Sequence, residues 1–579
     1  MTSKISQATA GADLSTPGAP GLDQRDAGPE GGRRRVGWWV ALAAILGAAL
    51  GLRLWSIGHG LPFTYNQDEE MHFVPQAVNM VGGDLNPHYF QNPPALTYLL
   101  QLVFRFRFLE GFPFGDGDLR ASFLRDPTAA FMTARVVVAL LGTLAVGLVW
   151  WAGGQLFGRR AGMVAAAVMA VAFLPVFYSK QALNDAATLV PVTVALVGCV
   201  WAWQRGRPRD WVLAGAAVGV ATATKYTAGA MLVSVGLAAL FRLLAGADRW
   251  WAAALAVGRA AVAFVVAYLV LNPFSLLEFR EFRRQVLGQA TQAGEFVKLG
   301  QADVPGWLYY LWTLTWGVGW LPLVAAGVGT LLLLRADPRR ALLLVAFPIA
   351  LCLFLGLQAR WFGRWLLPVY PVLSVLAGYA VARIADAVQA RAAWPGWRAL
   401  VLAGLTGLLV VQGAVASAHV DRVLGRTDSR ELARRWLERH VPPGSRVVIE
   451  PFIPAGWLTG GALRGRPAYE RFPVRRPFAE YTARVKPELV DSYRRDGYCW
   501  VVVASHQKDR GLEAGLANAQ AYYRRLDAAA EQVTVLSPYR QGARPVGFSF
   551  DLSFNYLPSA YERPGPLIQI HRLAGCTPG

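Results

Sequence analysis

The chain has 579 residues, 54% of them hydrophobic and only 16% charged, with a formal net charge of +20. A soluble protein carries about a quarter charged residues, so the composition excludes an ordinary soluble enzyme. The arginines gather in short loops between apolar blocks, which turns the basic balance away from nucleic acid and toward anionic membrane lipids.

In chain order, residues 1–32 are rich in Gly, Ala, Pro and Ser and hold no apolar block. With Arg33, Arg34 and Arg35 they read as a disordered cytoplasmic tail over 1–35. The apolar segment that follows is long and has no clear cleavage site, so it is expected to stay as an anchor. About eleven segments read as spans: 36–57, 131–153, 161–178, 186–203, 211–224, 226–244, 250–271, 307–334, 341–357, 362–384 and 399–418. The clearest, 251–271 and 362–384, are long enough to cross roughly 30 Å of hydrocarbon as helix, and a helix satisfies its own backbone hydrogen bonds there.

Arginine sets the orientation. With the N-terminus inside, the inner loops and their edges hold Arg159 and Arg160; Arg205, Arg207 and Arg209; Arg242 and Arg249; Arg335, Arg339 and Arg340; Arg391 and Arg398. Each satisfies the positive-inside rule. The apolar segment 95–108 is short and ends with Arg105 and Arg107. A crossing there would turn every later arginine loop outward, so it is expected to lie on the outer surface as an interfacial helix. The outside then holds residues 58–130, 272–306 and everything from 419 onward.

The expected organisation is a tail over 1–35, a transmembrane core over 36–420 with a first outer loop at 58–130, and an extracytoplasmic α/β domain over 421–579. In that last domain the caps and acidic first turn of 427–431 predict a helix to about residue 440. Residues 446–450, 500–504 and 567–573 predict strands, and 513–526 a helix. Cys199 and Cys352 lie in spans and read as small core residues. Cys499 and Cys576 lie near the C-terminus, and a disulfide between them requires an oxidising compartment, although spacing alone does not establish the pair.

Chemistry concentrates in the first outer loop, which reads Tyr65-Asn66-Gln67-Asp68-Glu69-Glu70-Met71-His72-Phe73 and later Gly82-Gly83-Asp84-Leu85-Asn86-Pro87-His88-Tyr89-Phe90-Gln91-Asn92-Pro93-Pro94. A partly desolvated carboxylate beside a span suits a general base acting on a hydroxyl. The same acids also fit a solvated loop or a helix cap, and a loop histidine is more often a simple hydrogen-bonding residue.

Asp68-Glu69 after one span, then the Gly-Asp-Leu-Asn-Pro-His-Tyr-Phe run over 83–90 and the Pro-Pro-Ala-Leu-Thr-Tyr run over 93–98, resembles the first loop of GT-C glycosyltransferases, closest to the protein O-mannosyltransferase and aminoarabinose transferase type. The resemblance extends over about 36–385. Arg159-Arg160-Ala161-Gly162 resembles the family's inner loop. Ser179-Lys180-Gln181-Ala182-Leu183-Asn184-Asp185 resembles its second acidic element, Thr224-Lys225-Tyr226 its Thr-Lys turn, and Arg360 and Arg364 with Leu367-Pro368 its Arg-Leu-Pro element. One departure is Asn92 before Pro93-Pro94, where some relatives have lysine.

The resemblance implies an α-helical polytopic membrane protein of GT-C type that moves a sugar from a polyprenyl-phosphate carrier to an acceptor hydroxyl, with inversion, on the outer face of the plasma membrane. Asp68 is the implied catalytic residue, with Glu69 and Asp185 beside it. Lys225, Arg360 and Arg364 are the implied phosphate ligands, and Tyr65, His72, His88 and Asn184 line the site. No cofactor is implied with certainty; no metal-ligand spacing is present, although a divalent metal remains compatible. The acceptor is protein, lipid or glycan. A multispan transporter or flippase is the alternative, as intramembrane charge serves both, but the halves show no repeat of the transporter kind. A non-catalytic envelope assembly protein is a third.

Overall fold

The computed structural model describes residues 29–108, 118–297, 299–301, 303–392, 394–451, 472–478, 485–552 and 556–576, with side chains from residue 36 onward. The chain divides into two compact units, Met1–Ala44 and Ile45–Gly579. Most of the expected tail, 1–28, lies outside the described residues. The first helix is Pro29–Leu54, so the tail ends earlier than composition suggests. Proline suits a first helical position because its missing N–H and fixed φ cost nothing there.

Among the described residues nine helical segments are long and apolar enough to cross a membrane: Val36–Leu54, Thr128–Phe157, Asn184–Arg205, Tyr226–Leu244, Trp250–Leu271, Gly306–Ala336, Pro338–Gly356, Gly363–Arg391 and Trp397–His440. The other two expected spans are shorter helices inside the bundle. Segment 161–178 is the pair Arg159–Val171 and Phe173–Tyr178. Segment 211–224 is the helix Pro208–Thr224. That helix meets Trp250–Leu271 through a small-residue ridge: a Cβ on Gly215 would stand 2.0 Å from the Ala260 carbonyl oxygen, and one on Gly219 2.4 Å from that of Phe264. Backbones this close gain dispersion contacts that bulkier residues prevent.

Segment 95–108 is the 14-residue helix Ala95–Phe108. It buries Leu96, Leu100, Phe104 and Phe108 and leaves Leu102 and Phe106 exposed. Apolar surface on both sides of so short a helix fits a segment lying along a bilayer surface.

The C-terminal α/β domain is a five-stranded sheet of β1 (Val447–Ile449), β2 (Val474–Arg475), β3 (Trp500–Ala504), β4 (Ala530–Leu536) and β5 (Ile568–Leu573), in the order β2-β1-β3-β5-β4. β1 runs parallel to β2 and β3; β5 is antiparallel to β3 and β4. Strand alternation sends Val447, Ile449, Val502 and Ile570 into one core with Ala433 and Leu437 of the helix Ser429–His440, and Val448, Val501 and Val503 into another with Tyr493, Tyr522 and Leu526. Cys499 and Cys576 form a disulfide across this domain.

Three expected strands match β1, β3 and β5. β2 and β4 were not expected. β4 is an edge strand with mostly exposed or half-buried residues, so its hydrophobic signal is weak. The expected 513–526 helix is Ala517–Ala529, and Glu513 instead ends a separate helix, Ser505–Glu513, with Gly515 at positive φ in the break.

Phe63, from the first loop, is buried within the core that the sheet shares with Ser429–His440. The loop and the C-terminal domain therefore form a single packed body, and the cavity described next lies against it.

Candidate functional site

Asp68 sits in the short helix Gln67–Met71, whose N-cap is Asn66. The Asn66 side-chain oxygen accepts from the N–H groups of Asp68 (3.0 Å) and Glu69 (3.3 Å), and its amide donates to Gln181 Oε1 at 2.6 Å. One asparagine thus ties the first acidic element to the 179–185 segment.

Lys225 is the cap of the 3-10 turn Tyr226–Met231, and Arg364 lies in the 3-10 turn Gly363–Val369. Both cations stand where a span begins, in tight turns that replace the first helical turn. Asn184 donates to the Thr224 carbonyl at 2.6 Å, which fixes the Lys225 turn beside Asp185. Lys225 then donates to Asp185, and Arg364 donates to Asp68 while its Nε stands 4.0 Å from Asp185. Asp185 is 4% exposed and Asp68 39%. Of the two carboxylates, Asp68 is the one that a solvent-borne group can reach.

Asp68 and Arg364 open onto a cavity of about 320 Å³ that Tyr65 and Arg360 also line. The Arg360 backbone N–H donates to Ala293 at 3.0 Å, which anchors it to the helix Phe279–Glu295.

Glu69 departs from its expected place in the catalytic set. It is 1% exposed and takes Arg135 Nε at 2.7 Å and Nη2 at 2.8 Å. Its Oε1 also accepts the Ala182 N–H at 2.8 Å. A buried carboxylate held by a bidentate arginine and a backbone N–H is committed to those partners rather than presented to a substrate. Glu69 holds the 179–185 segment in place instead.

His72 borders Asp68, with Nε2 3.7 Å from Oδ1, too long for a hydrogen bond. Its ring stacks on Tyr89 at 4.7 Å, and Asn92 donates to the Tyr89 hydroxyl at 2.7 Å. Burial pushes the His72 pKa down against the opposing pull of Asp68. His88, expected at the site, is not there: it is exposed, paired with Asp84 at 2.9 Å, beside Arg284 and Gln285. Its i,i+4 carboxylate partner and solvent access account for that placement.

Several cavity residues carry no sequence signal. Arg430, His506 and Phe550 of the C-terminal domain line it. Asp551 accepts the Tyr309 hydroxyl and, at 3.4 Å, the Gly363 N–H, and so caps the turn that bears Arg364. Behind the site, Lys180 donates to Leu52 and Trp55 carbonyls and pairs with Asp421 at 3.0 Å. Arg135 is the exception with a signal, since a charged residue inside an apolar span is costly without a partner.

As metal-type donors the site and its surroundings offer Asp68, Asp185 and His72. Both carboxylates already hold cationic side chains, and among the described residues no group of three or more His, Cys, Asp or Glu is placed to hold a metal ion. The donor set does not fit a divalent ion, and positive charge at the site comes from Arg364 and Lys225.

Residues 129–271 match the family model of dolichyl-phosphate-mannose-protein mannosyltransferases. No curated protein matches the sequence. Among solved structures, the oligosaccharyltransferase of Archaeoglobus fulgidus in its apo form aligns at a TM-score of 0.52 and 11% identity, over 93% of this chain and 88% of that one. The same organism's AglB, in complex with an inhibitory peptide and a dolichol-phosphate, aligns at 0.51 and 13% identity, over 87% and 74%. ArnT from Cupriavidus metallidurans bound to undecaprenyl phosphate aligns at 0.44 and 17% identity, over 94% and 99%. The family match is confined to the central helices over 129–271, and the structures that align at TM-scores above 0.5 share the fold of this chain.

Proposed function

We propose that the cavity binds a sugar linked to a polyprenyl phosphate and transfers that sugar to an acceptor hydroxyl by single displacement. The observation that carries this reading is the contact of Arg364 with both Asp68 and Asp185. It puts a guanidinium, the group best matched to phosphate, beside a reachable carboxylate base. With the donor in place, the phosphate competes for Arg364, and Lys225 and Arg360 add to its field. Asp68 is thereby released to the acceptor.

The acceptor oxygen attacks the anomeric carbon as its proton passes to an Asp68 oxygen. The bond from the anomeric carbon to the phosphate oxygen breaks, and polyprenyl phosphate leaves with the electron pair. Attack from the face opposite the leaving group gives inversion. Arg364 and Lys225 are fixed in tight turns, so they stabilise the departing charge without reorganising. In this reading Glu69, Asn66 and Asn184 are positioning residues.

The arginine distribution favours a cytoplasmic N-terminus, with the site on the outer face of the plasma membrane. The disulfide between Cys499 and Cys576 agrees, because such bonds persist in oxidising compartments. An outer site also has no nucleotide sugar to use, which fits a lipid-linked donor.

The test is sugar release or transfer by the purified protein in lipid, from a panel of radiolabelled polyprenyl-phosphate sugars, wild type beside Asp68→Asn. Turnover lost in the variant is expected. Turnover undiminished in the variant would overturn the assignment of the base.

A further inference from the structure

Beside the cavity runs a larger groove, about 720 Å³ in volume. It shares His59, Gly60, Tyr65, Leu424 and Asp428 with the cavity, so the two adjoin. One wall is the first-loop stretch from Ser56 to Tyr65; the other is the chain from Leu424 to Arg435. It falls within the usual range of ligand sites, about 300–1,000 Å³. Nothing in the mechanism above uses it.

The walls carry three arginines, Arg426, Arg434 and Arg435, against three carboxylates, Asp126, Asp428 and Glu431. The arginines are already matched. Arg434 holds Glu431 at 2.7 Å and Glu438 at 2.6 Å, Arg435 holds Glu431 at 2.9 Å, and Arg426 holds Glu562 at 3.0 Å. Asp428 is paired with Arg430 at 2.7 Å. Burial and Arg135 push the His59 pKa well down, so this histidine adds no charge.

A polyanion entering this groove would have to pull arginines from carboxylates, and a polycation would have to do the reverse at every carboxylate but Asp126, which accepts the Thr128 N–H at 3.0 Å. Either exchange forfeits bonds already made. The rings of Phe63 and Tyr65 are covered by Arg434 and Arg430, at 5.7 and 3.8 Å, which leaves little bare apolar surface for peptide side chains. Guanidinium donors and carboxylate acceptors stand side by side on this wall, held by one another. A hydroxyl both donates and accepts, so a chain of sugar hydroxyls bonds to such an array without breaking it.

We infer that the groove is the acceptor subsite and that the acceptor is an uncharged glycan, whose terminal hydroxyl reaches Asp68 where groove and cavity adjoin. This inference rests on the function proposed above and names the acceptor class for it.

The test is saturation-transfer NMR on the full chain in lipid nanodiscs, with mannotriose, maltotriose and cellotriose as neutral probes, and trigalacturonate and a serine-containing hexapeptide as the others. Polyprenyl phosphate binding is titrated on the same samples. At least one neutral trisaccharide should bind, about tenfold or more tighter than trigalacturonate or the peptide. Thr128→Trp, which fills the groove, should abolish that binding. Glu431→Gln should weaken it and raise affinity for trigalacturonate, as the lining gains a net positive charge. Trigalacturonate or peptide binding as tightly as the neutral probes in wild type would overturn the inference, as would neutral binding unmoved by both variants. If no trisaccharide binds while polyprenyl phosphate does, the acceptor class falls and the donor reading stands. If polyprenyl phosphate also fails to bind, the donor reading falls with it.

Discussion

Arg364 and Asp68 come from residues almost three hundred positions apart in sequence, and they meet as an ion pair at the mouth of a buried charge cluster. Arg364 also leans toward Asp185, which Lys225 holds from the other side. The cluster is thus two cations against two carboxylates, and in the proposed reaction an incoming phosphate changes which partner each cation keeps. Replacing Arg364 with lysine keeps the charge and removes the fork. A charge-assisted hydrogen bond contributes about 1.5–3 kcal/mol, so Arg364→Lys should weaken polyprenyl phosphate binding roughly ten- to a hundredfold. Equilibrium binding in nanodiscs measures this, and an unchanged affinity would remove Arg364 from the phosphate site.

The two carboxylates should separate experimentally. A positioned general base contributes roughly 10²–10⁴-fold, so Asp68→Asn should lose that much turnover. Because it also frees Arg364, it should bind polyprenyl phosphate as tightly as wild type or more so. Asp185→Asn leaves Lys225 buried without its counter-ion, and its main effect should fall on donor affinity. Paired kinetics and binding on both variants test this. If Asp185→Asn reproduces the Asp68→Asn pattern in both readouts, the base has been misassigned.

Much of this was legible in the sequence. Asp68, Asp185, Lys225, Arg360 and Arg364 each stand out in local motifs; Asp68, Arg360 and Arg364 line one cavity, and Asp185 and Lys225 form an ion pair that Arg364 approaches from the cavity side. Glu69 and His88 were misplaced for a shared reason: a motif names a residue type but not its partner. Arg135, on a different helix, takes Glu69 out of the chemistry. Asp84, four residues away, holds His88 at the surface. The contribution of the C-terminal domain was not legible at all. Arg430 and His506 line the cavity and Asp551 holds the Gly363 turn, from a domain whose core takes in Phe63 of the first loop, and a single buried aromatic in a loop leaves no periodic signal.

The pairing of Glu69 with Arg135 sets a stability prediction distinct from activity. Both side chains are 1% exposed, so removing one leaves a charge buried without compensation, at a cost of about 3–5 kcal/mol. Glu69→Ala should therefore lower thermal stability in detergent sharply and reduce the folded yield. Replacing both partners, as Glu69→Met with Arg135→Met, should recover much of the loss because no orphan charge remains. A double variant less stable than Glu69→Ala alone would show that the carbonyl contacts of Arg135 to Ile57 and His59 matter more than the ion pair.

The disulfide between Cys499 and Cys576 closes a long loop, with a sequence separation of 77. Chain-entropy arguments put such a cross-link at roughly 4–5 kcal/mol. Cys499→Ser with Cys576→Ser should lower the denaturant midpoint of the C-terminal domain, and added reductant should do the same to wild type. A reductant-insensitive midpoint would mean that the sheet alone holds the domain.

Glu450, at the end of β1, gives the clearest pH prediction. It is fully buried, with the Tyr523 hydroxyl donating to Oε2 at 3.1 Å. Burial pushes its pKa up from the ordinary 4.5 to about 8, against the lowering pull of the two tyrosine hydroxyls. In the folded chain the carboxyl therefore keeps its proton over a range where the unfolded chain has lost it. The unfolded state binds fewer protons there, so stability falls as pH rises. The contribution is fully present below about pH 4.5, and it is lost as pH climbs through about 8. Other carboxylates titrate in the lower part of this window, so the diagnostic quantity is the difference from Glu450→Gln, a variant that cannot ionise. Wild type should lose stability relative to Glu450→Gln across this window, and the difference should level off above it. Denaturant titrations of both full-length chains at several pH values measure the difference. A difference that stays flat across the window would mean that Glu450 is not held protonated, and that the Tyr523 and Tyr522 hydroxyls stabilise a buried carboxylate instead.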